Sequence, residues 1–136
     1  MVQKTTREIF GRTLKELGAE RDDFVVVDAD ISKSTYSYLF NNKFPERAYN
    51  FGIAEQNMVG VAAGIASTGI QVFATTYAVF ASMRALEQIR TFICYPELNV
   101  NIVASHGGLQ VSSDGVSHQG VEDLAKSYTE MFEGMD

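Results

Sequence analysis

The sequence predicts an α/β fold with a mainly parallel sheet and helices on both of its faces. Short apolar segments alternate along the chain with segments of helical periodicity, as they do in βαβ units. The clearest strand, Phe24–Val27, is continuously apolar and rich in β-branched residues, which is typical of a strand buried on both faces. The chain has 136 residues, of which 46% are hydrophobic, and this suits one domain with a substantial core.

The first helix is predicted from a capping box, in which Thr5 is followed on the next turn by Glu8. We expect this helix to end before Gly18, because glycine is common just after helix ends. Residues 31–47 are polar and aromatic and include Pro45, which favours a loop with room for one helical turn. The apolar residues of the first helix share one face: Phe10, Leu14 and Leu17.

The rest of the chain continues the alternation of strands and helices. A glycine- and serine-rich loop over 105–120 comes before the last helix. Periodicity and turn residues predict a short strand over Ala48–Phe51, a helix over Ala54–Thr68, a strand over Gln71–Thr75, a helix over Ala78–Ile93, a strand over Val100–Ala104 and a last helix from Val121 to about Phe132.

Polar and aromatic residues follow the ends of four predicted strands. Parallel sheets bind ligands beyond the carboxyl ends of their strands, so we expect these residues to meet in one site. They are Asp28 and Asp30 after the first strand, Glu55 after the second, Tyr77 and Phe80 after the third, and Ser105 and His106 after the fourth.

Composition and charge exclude several classes of function. The chain carries 17 Asp and Glu against 11 Lys and Arg, for a formal net charge of −6, so we expect no nucleic-acid or membrane partner. The single cysteine, Cys94, cannot form an internal disulfide, which favours a reducing, cytoplasmic setting. The N-terminus lacks the apolar segment of a signal peptide, and the longest apolar run, Met58–Ala66, is shorter than the roughly 20 residues of a membrane span.

Glu55 opens a helix whose next two turns are rich in small residues. From its position alone, the carboxylate could simply stabilise the positive end of the helix. Glycine is unfavourable in a helix interior, so Gly60 and Gly64 suggest that another element approaches closely. Such packing would leave Glu55 poorly solvated and favour its neutral, proton-sharing form.

Phe80 lies in the helix that follows the third strand. Apolar residues at helical spacing usually belong to the core, and this helix has such a stripe. A phenylalanine just after a strand end could instead offer a flat face to a heteroaromatic ring. The stripe consists of Phe80, Met83, Leu86, Ile89 and Ile93.

Both histidines, His106 and His118, lie in the long loop before the last helix. A loop of this length inside a compact domain is usually functional. We reject a zinc site, because two histidines this far apart with one distant cysteine match no zinc-binding spacing. A Ser/His/Asp triad, a dinucleotide fold and a P-loop are not supported either, since their glycine-containing motifs are absent from the sequence.

Three segments occur in order and at compatible spacing: RAYNFGIAEQN over 47–57, TTYAVF over 75–80, and SH at 105–106 followed by DGVSHQGVED over 114–123. Together they resemble the transketolase family, and more narrowly the pyrimidine-binding domain in the C-terminal subunit of split transketolases. The resemblance runs from about residue 3 to residue 125. Deoxyxylulose phosphate synthase contains a similar domain, and the segments resemble it less well.

The resemblance implies a site for thiamine diphosphate that is shared between two domains. In this family a glutamate at the position of Glu55 hydrogen-bonds nitrogen N1′ of the pyrimidine and promotes the imino tautomer, whose nitrogen takes the proton of the thiazolium carbon. Phe80 lies where the family places an aromatic ring against the aminopyrimidine. Tyr77, in the same segment, is assigned to cofactor binding with it.

The resemblance also implies residues that contact a sugar phosphate substrate. Asp114 and His118 match residues that contact the sugar hydroxyls, and His106 matches a histidine near the reacting carbonyl. Ser34 aligns with a residue that helps to hold the sugar phosphate. The predicted catalytic residues are Glu55, His106 and His118.

The resemblance implies that the site is completed by a partner chain. We expect residues 1–136 to form a single pyrimidine-binding domain that lacks the family's last strand and helix, so that the sheet is left with an edge or apolar face that needs cover. The diphosphate and its Mg²⁺ or Ca²⁺ would be held by the partner, an N-terminal transketolase-type subunit, in a homodimer or a heterotetramer. No residue of this chain is assigned to the metal, and the isolated chain is expected to be inactive.

The leading hypothesis is therefore the pyrimidine half-site of a transketolase-type ketol transferase that acts on sugar phosphates such as pentose phosphates. A second hypothesis is a non-catalytic, truncated domain that oligomerises through its small-residue helix. A third is a generic doubly wound domain that binds another small anion.

Overall fold

The computed structural model of the chain describes residues 5–123, and its strands are β1 (Phe24–Asp28), β2 (Ala48–Asn50), β3 (Gln71–Tyr77) and β4 (Val100–Ser105). They form one four-stranded parallel sheet in the order β2–β1–β3–β4. The predicted mainly parallel sheet is confirmed, and each strand lies within two residues of its predicted bounds.

Helices cover both faces of the sheet, as predicted. The helices are α1 (Thr6–Glu20), α2 (Ser32–Thr35), α3 (Tyr38–Asn41), α4 (Glu55–Ala66), α5 (Ala78–Arg84) and α6 (Leu86–Gln88). Phe24 and Val26 of β1 pack into one core with α1 and α3, whereas Val27 packs into a second core with α4. This alternation of side chains explains why Phe24–Val27 of β1 is continuously apolar.

The segment predicted as a loop over 31–47 is more ordered than expected. It contains α2 and α3 and a short 3-10 turn over Pro45–Arg47. Asp30 and Tyr36 adopt the left-handed conformation, with φ of 66° and 63°, and these reversals fold the segment back onto the sheet. The fully buried ring of Phe40 then anchors it to the core.

The prediction that the first helix ends before Gly18 is wrong, since α1 continues to Glu20. Position 18 is occupied by a glycine because any side chain there would collide with aromatic rings. A Cβ on this residue would lie 2.5 Å from Cε2 of Phe40 and 2.8 Å from Cε2 of Phe44. The carboxyl end of α1 is held by Arg47, which donates to the carbonyl oxygens of Gly18 and Arg21 at 2.7 Å each.

The long helix predicted over Ala78–Ile93 is interrupted. The backbone of Ala85 leaves the helical region, with φ −119° and ψ 8°, and α6 continues into a π-helical stretch over Ile89–Cys94. This change of pitch alters which side chains face the sheet, so the predicted apolar stripe does not lie on one buried face. Within it Ile93 is buried, whereas Met83 is 50% exposed.

The long loop is closed at its base rather than structureless. Gly108 and Gly120 exchange two backbone hydrogen bonds, with N···O distances of 2.9 and 3.0 Å. Two short 3-10 turns, Ser112–Asp114 and Val116–His118, lie between them. Most of the predicted last helix falls outside the described residues.

Within residues 5–123, β4 pairs with β3 alone. An apolar groove of about 520 Å³ lies beside β4, between Leu86, Ile89 and Ile102. No helix in this part of the chain combines the length and apolar character needed to cross a membrane.

Candidate functional site

The predicted site residues are joined in one continuous chain of contacts at the carboxyl edge of the sheet. Two arginines that the sequence analysis did not single out, Arg7 and Arg84, complete this chain. The predicted residues that it joins are Ser34, Glu55, Tyr77, Phe80, His106, Asp114 and His118.

Glu55 is the first residue of α4 and is 3% exposed. Its two carboxylate oxygens each accept a hydrogen bond from Nη1 of Arg84 at 3.2 Å. The carboxylate is therefore held by an ion pair with Arg84 at the positive end of the helix. Glu55 is poorly solvated, as predicted, but it is paired with an arginine that the prediction did not include.

The small-residue face of α4 also differs from the prediction. A Cβ added at Gly60 or at Gly64 would meet no atom within 4 Å, so no described element approaches these glycines closely. The buried side of α4 is formed instead by Met58 and Val59 together with its alanines, of which Ala62 is fully buried. The glycines therefore leave an open strip along the helix.

Phe80 lies one helical turn before Arg84 on α5, and the two side chains are in contact. The guanidinium carbon of Arg84 lies 3.9 Å from the centre of the Phe80 ring, which is a close cation–π arrangement. A cavity of about 480 Å³ opens beside this pair and is lined by Glu55, Met83 and Arg84 among others. The same guanidinium thus joins the buried carboxylate to the aromatic ring.

Tyr77, the last residue of β3, connects Phe80 with His106. Its buried ring stacks on Phe80, with ring centres 5.8 Å apart, and lies 4.3 Å from the ring of His106. Its hydroxyl donates to Oδ2 of Asp114 at 3.3 Å. Residues 105–120 carry His106 and His118 and are called the histidine loop below. Tyr77 therefore positions the histidine loop over the end of the strand.

His106 is held by hydrogen bonds on both ring nitrogens. Nη1 of Arg7 lies 3.0 Å from Nε2, and Oγ of Ser105 lies 2.8 Å from Nδ1. Because arginine only donates, Nε2 is the acceptor, and the proton of a neutral ring is on Nδ1. Burial lowers the pKa of His106, and the charge of Arg7 lowers the pKa further.

The backbone of His106 is also unusual, because its φ is 59°. Residues other than glycine rarely adopt this left-handed conformation, and such strain is concentrated at functional sites. The loop therefore fixes both the orientation and the charge state of this imidazole.

Ser34 reaches the site through its backbone. Its carbonyl oxygen accepts a hydrogen bond from Nη1 of Arg7 at 3.0 Å, so Arg7 bridges α2 and the histidine loop. A cavity of about 540 Å³ lies here, with Arg7, Thr35 and His106 in its wall. A guanidinium in the wall of a cavity favours an anionic ligand.

His118 and Asp114 come from the two 3-10 turns of the loop. The His118 ring makes edge contacts with Phe80 and Tyr77, at 5.1 and 5.7 Å between ring centres. Its Nδ1 lies 3.0 Å from Oγ of Ser117. The loop therefore brings a second imidazole to the aromatic pair.

Asp28, the last residue of β1, anchors the segment next to the site through buried hydrogen bonds. Its fully buried carboxylate accepts hydrogen bonds from Oγ1 of Thr75 and the backbone N–H of Ile31, both at 3.0 Å, and from Oγ of Ser37 at 3.4 Å. Burial raises the pKa of Asp28, and these hydrogen bonds oppose that rise. The network ties the segment that carries Ser34 to the sheet.

Both arginines left a signal in the sequence that was not used. Arg7 is a cation in the first turn of α1, where the helix dipole disfavours positive charge, and this placement favours a contact outside the helix. Arg84 follows Phe80 by four residues, a spacing that places the two on the same helical face. In the described part of the chain, no three His, Cys, Asp or Glu side chains lie close enough to hold a metal ion.

Over residues 2–129 the chain matches the family model described as transketolase, pyrimidine binding domain. The chain belongs to this family. The resemblance carried by the three sequence segments is thereby confirmed.

Two relatives of the transketolase family show how far the similarity extends. A protein of Methanocaldococcus jannaschii named "Putative transketolase C-terminal section" is 53% identical over 124 residues, which cover 91% of this chain and 39% of that protein. Human transketolase is 40% identical over 121 residues, which cover 88% of this chain and 19% of the human one. The chain therefore spans well under half the length of these relatives.

Solved transketolase structures share the fold. One described as a split gene transketolase, inactive beta4 tetramer, is 56% identical with a TM-score of 0.74, over 88% of this chain and 38% of that one. The transketolase of Campylobacter jejuni has a TM-score of 0.76 at 23% identity, over 96% of this chain and 20% of that one. The second comparison confirms the fold of the pyrimidine-binding domain.

Proposed function

We propose that this chain supplies the pyrimidine-binding half-site of a thiamine diphosphate-dependent ketol transferase that acts on sugar phosphates. The main support is the arrangement in which the buried carboxylate of Glu55 and the ring of Phe80 contact one and the same planar guanidinium. A flat, nitrogen-rich group with N–H donors is already accommodated there. The residues present therefore fit an aminopyrimidine, which has the same flatness and the same kind of donors.

Glu55 is proposed to hold a proton shared with ring nitrogen N1′ of the bound cofactor. Its position favours this role, because the carboxylate is 3% exposed and contacts the same guanidinium as the ring of Phe80. Phe80, supported by the stacked ring of Tyr77, would carry the flat face of the aminopyrimidine. Thiamine diphosphate, when bound, supplies the nucleophilic carbon for ketol transfer, and the protein supplies position and electrostatics.

The histidine loop is proposed to bind the sugar phosphate. The cavity beside His106 has Arg7 in its wall, and Arg7 also contacts Ser34, so a phosphate group is expected there. We assign His106 to the reacting carbonyl, and Asp114 and His118 to the sugar hydroxyls. Tyr77 contacts all three of these residues and so keeps the loop beside the cofactor position.

A partner chain is proposed to complete the site. The chain covers 39% of its relative in Methanocaldococcus jannaschii, whose name describes a C-terminal section, and this suggests a separate N-terminal transketolase-type subunit as the partner. That subunit would hold the diphosphate with its Mg²⁺ or Ca²⁺, within a homodimer or a heterotetramer. We further propose that the assembly works in the cytoplasm and has no nucleic-acid or membrane partner.

The proposal is tested by reconstitution. The chain is mixed with the N-terminal subunit of a split transketolase, thiamine diphosphate, Mg²⁺, a ketose phosphate donor and an aldose phosphate acceptor, and ketol transfer is measured. We expect transfer only when both chains are present. Failure of every such pairing, with a folded chain, contradicts the proposal.

A second candidate, a non-catalytic module that oligomerises through α4, is favoured by the open strip at Gly60 and Gly64. Light scattering after size-exclusion chromatography separates the two candidates when it is combined with the activity assay. A stable oligomer that shows no ketol transfer in any pairing supports the module, whereas a monomer argues against it.

A further inference from the structure

Arg84 makes two contacts at once, and each of them involves a residue that the proposed function assigns to the cofactor. Its Nη1 donates to both oxygens of Glu55, at 3.2 Å each. Its guanidinium carbon lies over the Phe80 ring, 3.9 Å from the ring centre. A single side chain thus engages both the carboxylate and the aromatic ring of the half-site.

The guanidinium resembles an aminopyrimidine in the properties that these two contacts use. It is planar and delocalised, it stacks on aromatic rings, and its N–H groups donate in the plane to a carboxylate. An aminopyrimidine ring likewise stacks through its face and forms hydrogen bonds in its plane. The two groups therefore require the same ring face and the same oxygens.

We propose that Arg84 occupies the place of the aminopyrimidine in this chain and has to leave it before the cofactor can bind. This inference rests on the proposed function. Two planar groups cannot lie on the same face of Phe80 while both bond to Glu55, so the contacts of Arg84 and those of the ligand exclude one another. Arg84 thus acts as an internal competitor at the half-site.

Several features allow Arg84 to leave. Its side chain is 45% exposed, and it is the last residue of α5, next to the break at Ala85. Half-exposed ion pairs and cation–π contacts are individually weak, so another ligand can replace them. While Arg84 is in place, its positive charge balances the carboxylate of Glu55. Without such a partner, a buried carboxylate would be costly.

This arrangement favours ligands that have a second point of attachment. A cofactor whose diphosphate is gripped by a partner chain brings enough binding energy to displace the guanidinium. A free pyrimidine has only the contacts that Arg84 already makes, so it competes poorly with Arg84 and binds weakly. Arg84 would thus discriminate between the complete cofactor and its fragments.

The experiment measures binding of 4-amino-2-methylpyrimidine, which lacks the diphosphate, to the full chain by NMR titration. Removal of the competitor in Arg84→Ala is expected to tighten binding by about fivefold or more, the order expected for losing one half-exposed ion pair with a cation–π contact. Arg84→Lys should tighten it less, since an ammonium still pairs with Glu55 but does not stack as a plane. Arg12→Ala removes an arginine from another exposed ion pair, with Glu8, and should leave binding unchanged.

The outcomes separate this inference from the proposed function. If Arg84→Ala binds the fragment no more tightly than the wild type, while Glu55→Gln and Phe80→Ala weaken binding, Arg84 is not a competitor and the inference is overturned alone. The proposed function fails together with the inference if no variant binds the fragment, or if Glu55→Gln and Phe80→Ala leave the affinity for the fragment unchanged. Thermal unfolding checks that each variant is folded, and Arg84→Gln replaces the alanine variant if that one is not.

Discussion

The guanidinium of Arg7 lies 3.0 Å from Nε2 of His106, so this nitrogen accepts a hydrogen bond and carries no proton. The contact joins the first turn of α1 to the end of β4 across the carboxyl edge of the sheet. It therefore ties the charge state of the imidazole to the folded structure. The other nitrogen, next to Ser105, is left as the donor.

This relationship predicts how the stability contributed by His106 changes with pH. Burial and Arg7 lower the pKa of the folded histidine, so as the pH falls through about 6.5 the unfolded chain takes up a proton first. The contribution is complete above about pH 6.5 and is lost as the pH falls towards the lowered pKa. Thermal unfolding of the wild type and of His106→Asn between pH 5 and 8 measures it.

Asparagine suits this comparison because it does not titrate and tolerates the left-handed backbone at position 106. The difference in unfolding free energy between wild type and variant should shift in favour of the wild type as the pH rises. A difference that stays constant, or that moves the other way, contradicts the assignment of a neutral imidazole.

Asp28 predicts a pH dependence of the opposite sign. Burial raises the pKa of the folded carboxyl above its value of about 3.9 in the unfolded chain, so the folded state binds the proton more tightly. Stability from this group is therefore greatest below about pH 3.9 and declines as the pH rises through the raised pKa. The wild type should lose stability relative to Asp28→Asn over this range in thermal unfolding.

The exposed carboxylate of Asp22 provides a control for net charge, since Asp22→Asn removes the same charge from the surface. Only Asp28→Asn should change the slope of stability against pH. Equal slopes for the two variants would mean that the buried network does not favour the proton.

Gly18 and Gly64 form a matched pair for packing, because both are helical glycines and only the first is crowded. Gly18→Ala would push a methyl group into the Phe40 ring and should lower the free energy of unfolding by about 1–3 kcal/mol. Gly64→Ala meets open space and should raise the free energy of unfolding by about 0.5–1 kcal/mol. Urea denaturation measures both changes, and equal effects would show that Phe40 does not press on Gly18.

The parallel sheet could be predicted from the sequence, because continuous apolar strands are visible as a local pattern. The grouping of the site residues could be predicted too, because residues that follow parallel strands meet at the carboxyl edge of the sheet. The residues at the ends of β1, β3 and β4 do lie at one edge. The position of Glu55 at the start of α4 also followed from its pattern.

What the sequence could not supply depends on contacts between distant residues. Gly18 is a glycine because the rings of Phe40 and Phe44, which lie far away in the sequence, leave no room for a side chain, and not because the helix ends there. The interruption at Ala85 leaves no local signal, since alanine is a strong helix former. The pairing of Arg84 with Glu55 joins two helices, so no spacing along one element indicates it.

The aromatic face of Phe80 is predicted to contribute to cofactor affinity in the reconstituted enzyme. Phe80→Ala removes the stacking surface and should weaken thiamine diphosphate binding by about threefold to tenfold, as expected for one aromatic pair. Phe80→Tyr keeps the ring and should bind within about twofold of the wild type. Cofactor titration followed by activity measures both constants, and wild-type affinity in the alanine variant would show that the ring does not carry the pyrimidine.

The carboxylate of Glu55 provides the most direct test of the whole account. In the chain reconstituted with its N-terminal partner, Glu55→Gln keeps the shape of the side chain but cannot share a proton as an acid does. The account predicts that ketol transfer falls by at least about 100-fold at saturating cofactor, whereas the exposed control Glu20→Gln stays at the wild-type rate. Turnover of Glu55→Gln at the wild-type rate would contradict it.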